Sequence, residues 1–119
     1  MVKADPRMGE IKQKDIVIVN FSLTEGREQK GVRPALVISG NPFNVSDVVI
    51  VCPITSQIKK FAGNLLLTPN SANGLKKLSE VLIGQIRAIS IKRINKRIGS
   101  VGDKELAAVF EGLDLLLDR

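Results

Sequence analysis

A chain of 119 residues that is 44% hydrophobic and 25% charged has the size and balance of a folded globular domain, not of a disordered segment. It holds no histidine and one cysteine, which excludes histidine-based zinc centres, the Ser-His-Asp triad and any nuclease built on two imidazoles. The net charge of +6 is unevenly placed: residues 1–102 carry 16 Lys/Arg against 7 Asp/Glu, and residues 103–119 carry 2 against 5. The body has the charge of a polyanion binder, the end that of a solvated helix face.

In chain order, residues 1–11 read as a mobile N-terminal arm on a single domain spanning 1–119. The arm has no apolar core of the secretory type, and no run approaches the ~18 apolar residues that a membrane span needs. A cytoplasmic location without membrane attachment is expected. Asp15–Phe21 (DIVIVNF) is rich in β-branched residues and predicts a strand. Ser22–Arg33 is polar and punctuated by Gly26 and Gly31, which predicts a long loop. Pro34–Ser39 and Val48–Ile54 are nearly continuous apolar runs, as for strands buried on both faces, with turn chemistry between them. Cys52 lies inside the second run and reads as a core hydrophobe; a nucleophilic thiolate would want a basic, polar setting.

Leu65–Thr68 predicts a short strand, Val81–Ile91 a longer strand region, and the basic KRINKRIG a last twisted edge. The period then changes. In DKELAAVFEGLDLLLD the apolar positions 106, 109, 110, 113, 116 and 117 follow helical spacing, with Ser100 or Asp103 as candidate cap. Leu106, Val109, Phe110, Leu113 and Leu117 are expected to be buried. Short strands, one long loop and one closing helix predict a mainly β fold: a small, partly open β-barrel with a C-terminal helix.

The densest polar segment is Glu25–Arg33, and the next is Thr55-Ser56-Gln57, directly after a buried strand. Pro34 restricts Arg33 to extended backbone, so the guanidinium sits at a defined strand mouth. Thr55 follows Pro53 at another strand end. A planar guanidinium and a hydroxyl from neighbouring strand ends can clamp a phosphate. Composition alone favours a solvated loop with a surface ion pair.

Three ordered segments, GREQKGVRPALVISG, PITSQ and GQIRAISIKRINKRIG, resemble the MazF/PemK/Kid toxins of bacterial toxin–antitoxin systems. The resemblance runs from about Lys14 to the C-terminal helix. It implies an SH3-like barrel with a C-terminal helix, a homodimer, and a sequence-selective, metal-independent endoribonuclease that cleaves single-stranded mRNA and is neutralised by a cognate antitoxin. No cofactor or metal is implied. The family's key arginine and threonine fall on Arg33 and Thr55. Glu28 and Gln29 match the acidic–amide pair of the substrate loop, and Gln85 and Arg87 the later QxR pair. Arg27, Lys30, Ser56 and Gln57 flank these motifs as substrate-binding candidates. Family members commonly carry a carboxylate where this chain has Gly84, and some carry histidine at Arg27; acid–base roles for those side chains are closed here.

RNA brings its own nucleophile, the 2′-hydroxyl, so the enzyme must align it, remove its proton and offset charge on the phosphate. Arg33 suits charge stabilisation more than proton donation, because a guanidinium holds its protons tightly. Thr55 would orient the phosphate or the hydroxyl, and Glu28 is the motif carboxylate left to act as base. Tyr and Trp are absent, so base recognition would rest on amides, hydroxyls and Arg planes rather than on broad stacking platforms. Two other readings remain at this point. One is a protein-binding toxin of the same fold, like the gyrase poison CcdB, and the other an RNA-binding member without catalysis.

Overall fold

The computed structural model describes residues 10–21 and 31–118. It contains β1 (Asp15–Asn20), β2 (Val32–Val37), β3 (Val48–Thr55), β4 (Leu65–Leu67), β5 (Ser79–Val81), β6 (Arg87–Ser90), β7 (Ile94–Ser100) and α1 (Asp103–Leu116). Every pairing is antiparallel, in the order β4-β5-β3-β2-β1-β7, with β6 branching from β3. The sheet curls without closing. This is the mainly β, partly open architecture that the sequence predicts, with the helix last.

The near-continuous apolar runs are explained by two cores that share the same strands. Side chains alternate across a strand, so Val17, Val19, Ala35, Val37, Val49 and Val51 enter one core with Phe21, Ile89 and Ile94. Ile16, Leu36, Cys52, Ile54 and Val81 enter the other, where Leu106 and Val109 of α1 pack. Each such side chain contributes about 1.5–3 kcal/mol on burial. Cys52 is fully buried, and burial pushes its thiol up to about 12, so it stays protonated and serves the core.

Several boundaries differ from the sequence expectation for physical reasons. Arg33 lies inside a strand, not at the end of a loop: Pro34 demands extended backbone before it, and Val19 pairs with Arg33. Val81–Ile91 is not one strand. It breaks into β5, a short 3-10 turn at Ile83–Gln85 and β6, because β5 and β6 pair with different halves of β3. The helix is capped by Gly102, not by Ser100 or Asp103; Asp103 is the first helical residue and receives the Lys14 ammonium at 2.5 Å. On the helix, Leu106 and Val109 are buried and Leu113 packs against them, but Phe110 is 41% and Leu117 60% exposed. The sheet underlies only the first half of the expected apolar face. Ile11, assigned to the arm, is 7% exposed and belongs to the first core. Among the described residues no helix is long and apolar enough to cross a membrane.

The helix is held close to the loop that follows β3. Gly63 sits at φ +87°, and a Cβ on Gly112 would meet the Gly63 carbonyl oxygen at 2.1 Å. Alanine normally stabilises a helix over glycine by about 1 kcal/mol. Here the close approach reverses the sign: Gly112→Ala is expected to destabilise by about 1–3 kcal/mol, as overpacking does. The thermal midpoint followed by circular dichroism checks this, and an unchanged or raised midpoint would contradict it.

Candidate active site

Strand register brings the sequence candidates together. Ala35 pairs with Pro53, and continuing that register by one two-residue repeat aligns Arg33 with Thr55. Arg33 shares strand parity with Ala35 and Val37, Thr55 with Val51, and Arg87 with Ile89, and these four apolar partners all lie in the first core. Arg33, Thr55 and Arg87 therefore project from one face, where the apolar core ends. Arg33 and Arg87 are half-buried, and Thr55 is 3% exposed.

Local interactions fix two of these groups. The Arg87 guanidinium lies 5.4 Å from the ring centre of the fully buried Phe21, a cation–π contact that holds its charge over the edge of the first core. Thr55 Oγ1 accepts the Gln57 N–H at 3.1 Å, a short hydroxyl turn that anchors the oxygen and starts the loop bearing Ser56 and Gln57. Both of those side chains are exposed. Gln85 lies in the turn before β6 and lines a cleft of about 270 Å³ with Phe61, Asn64 and Leu116. Gly84 belongs to the same cleft, and open space surrounds the position where its Cβ would be. A second, polar cleft of about 390 Å³ is lined by Asn20, Ser90, Lys92, Arg93 and Asn95. Arg27, Glu28, Gln29 and Lys30 lie outside the described residues.

Sequence reasoning passed over one residue beside this cluster. Glu80 pairs with Thr55 across β5 and β3 and is fully buried. Its carboxylate accepts main-chain N–H groups from Lys59 at 2.5 Å, Lys60 at 3.1 Å and Phe61 at 3.2 Å, and the Asn64 side-chain amide at 2.9 Å. Burial alone would raise its pKa, but these donors outweigh burial and hold the carboxyl below its ordinary value. A carboxylate so engaged is a poor proton acceptor. Glu80 thus ties the loop after Thr55 to β5 through its carboxylate. Among the described residues, no three or more His, Cys, Asp or Glu side chains are placed to hold a metal ion.

With this geometry in view, comparison with known proteins is decisive. Residues 12–117 match the family of PemK-like, MazF-like toxins of type II toxin–antitoxin systems. The chain belongs to that family. It is 34% identical over 118 residues to the endoribonuclease MazF9 of Mycobacterium tuberculosis, covering 94% of this chain and 96% of that protein. The crystal structure of MazF from Deinococcus radiodurans superposes with a TM-score of 0.79 at 28% identity, covering 92% of this chain and 97% of that one. The MazE–MazF crystal structure from the same organism matches at a TM-score of 0.71 with the same identity and coverage.

The depressed pKa of Glu80 has a stability consequence. A carboxyl with a folded pKa below its unfolded value stabilises the fold above about pH 4.5, and that contribution is lost as the pH falls through the folded value. The thermal midpoint is therefore expected to fall as pH drops below 4.5. Glu80→Gln should start lower at neutral pH and show a flatter acid limb. Equal slopes for the two proteins in calorimetry would contradict the assignment.

Proposed function

We propose that this protein is the endoribonuclease toxin of a type II toxin–antitoxin pair, cutting single-stranded mRNA at preferred sequences in the cytoplasm. The observation that carries the reading is the convergence of Arg33, Thr55 and Arg87 on one face, in a chain of the MazF-like family. Its neutralising partner is a cognate antitoxin, as in the toxin–antitoxin systems that define the family.

In the proposed cut, the 2′-oxygen attacks the adjacent phosphorus and the bond from phosphorus to the 5′-oxygen breaks. The products are a 2′,3′-cyclic phosphate and a 5′-hydroxyl; the proton lost from the 2′-hydroxyl is balanced by one gained on the 5′-oxygen. Arg33 takes the non-bridging oxygens, where its planar fork matches developing negative charge. Thr55, anchored through Gln57 N–H, donates its hydroxyl proton toward the phosphate. Glu28 takes the 2′-hydroxyl proton, the role left to it because Glu80 is buried and engaged and Gly84 has no side chain. Arg87, backed by Phe21, adds positive charge beside the phosphate. Gln29, Arg27, Lys30, Ser56, Gln57 and Gln85 bind the flanking nucleotides, and Lys92 and Arg93 extend the basic track. None of these steps asks for a metal.

A homodimer is part of the same reading. Phe110, Leu115, Leu116 and Leu117 leave the outer end of α1 apolar and exposed, which a second copy would cover. Light scattering should give twice 12.9 kDa at micromolar concentration; a stable monomer would remove the dimer from the proposal.

The catalytic assignment is tested on a long single-stranded RNA in EDTA. The wild-type protein is expected to cut it into discrete fragments. Arg33→Ala should lose at least ~10²-fold in rate with its fold intact. Arg33→Lys should recover little, because a point charge lacks the planar fork. Thr55→Val keeps the shape, removes the hydroxyl and should be severely impaired. Wild-type cutting by folded Arg33→Ala, or activity that disappears with EDTA, would overturn the mechanism.

A further inference from the structure

We propose that Glu80 is a positioning residue for RNA cleavage, setting the loop after Thr55 and the segment bearing Gln85 and Arg87 in one fixed arrangement. The inference rests on the RNA-cleaving reading and deepens it. Three successive main-chain N–H groups, those of Lys59, Lys60 and Phe61, converge on one carboxylate. This fixes the backbone of a loop that presents Ser56, Gln57, Lys59 and Lys60 to solvent. Lys60 sits at φ 56°, a conformation that a non-glycine residue adopts only when its surroundings hold it there. The carboxylate supplies that hold.

The second half of the argument is Asn64. Its amide nitrogen donates to Glu80, while its amide oxygen accepts the Ile83 N–H at 2.9 Å. Ile83 opens the turn that ends at Gln85, two residues before Arg87. One buried carboxylate thus connects both substrate-facing segments, on one side directly and on the other through a single amide. Hydrogen bonds to an ionised acceptor are about twice as strong as neutral ones, so the connection is stiff. Thr55 itself is held by β3 and does not depend on it. Losing Glu80 should therefore loosen the grip on RNA more than it slows the cut.

The experiment compares wild type, Glu80→Gln, Asn64→Ala and Val101→Ala on single-stranded RNA at neutral pH, each checked for fold by circular dichroism. Val101→Ala removes a core side chain between β7 and α1 and controls for lost stability. Glu80→Gln keeps one acceptor oxygen but turns an amide donor toward main-chain donors. Its KM is expected to rise about tenfold with kcat little changed, the signature of lost binding rather than lost chemistry. Asn64→Ala should raise KM by a smaller factor, and Val101→Ala should leave KM unchanged. Independently of activity, amide exchange by NMR should show lost protection at Lys59, Lys60, Phe61 and Ile83 in Glu80→Gln.

Unchanged KM in both site variants, or equal KM changes in Glu80→Gln and Val101→Ala, would overturn the inference while leaving the nuclease reading intact. So would retained amide protection in Glu80→Gln. If Glu80→Gln does not fold, Asn64→Ala carries the test, and wild-type KM together with wild-type protection at Ile83 overturns the proposal. A folded wild-type protein that cuts no RNA fails the nuclease reading first, and the positioning role for cleavage fails with it.

Discussion

Pro53 sits in the middle of the strand on which every other element depends. β3 pairs with β2 along one side, and on its other side with β6 through Val48–Val51 and with β5 through Ile54 and Thr55. A proline has no N–H to give a ladder, and the partner changes at Pro53. Its carbonyl is still used, accepting the Leu82 N–H at 2.8 Å. The chain between β5 and β6 must turn at that point, and the turn puts Gln85 and Arg87 beside the end of β3. Thr55 emerges past the switch and Arg33 lies level with it on β2. The missing donor at Pro53 thus coincides with the change of partner from β6 to β5.

The two cores explain why this gathering is stable. Alternation sends one half of each strand's apolar residues to the core around Phe21 and the other half to the core under α1. Among the described residues no helix lies over the first core, and the candidate site is the polar end of this packed apolar stack. Half-buried arginines suit such a boundary, since a long apolar stem can lie on apolar surface while the planar head reaches polar surroundings. The second core is covered by α1, which the close contact of Gly63 with Gly112 holds in place.

Much of this was legible from residue order. Runs such as VVIVCPI predicted doubly buried strands because such strands need apolar residues on both faces. Arg33 was legible because it stands next to Pro34 at the start of an apolar run, and Thr55 because it ends one, two residues after Pro53. The split of Val81–Ile91 was not, since it follows from a change of partner on β3, and a partner leaves no mark on the segment's own periodicity. The exposed Phe110 and Leu117 were misread because helical spacing reports a face, not how far the sheet extends beneath it. Glu80 escaped because its partners are main-chain groups 19 to 21 residues away, which carry no side-chain signature. Its one visible trace was a lone carboxylate inside an apolar strand, in a part of the chain otherwise poor in acids.

That lone carboxylate also bears on how a chain without histidine can do acid–base chemistry. A general base must be free to change protonation near neutral pH, while a structural anchor must hold its charge. Main-chain donors and the Asn64 amide hold Glu80 in its charged state, which gives it to the second task and removes it from the first. The described part of the site is therefore built from groups of fixed charge and fixed position: two guanidiniums, an anchored hydroxyl and a locked carboxylate. Such groups cost little reorganisation as charge moves onto a phosphate, which is the condition under which electrostatic stabilisation is most effective. In the proposed cut, proton transfer then falls to Glu28, in the stretch of sequence where carboxylates and cations are densest.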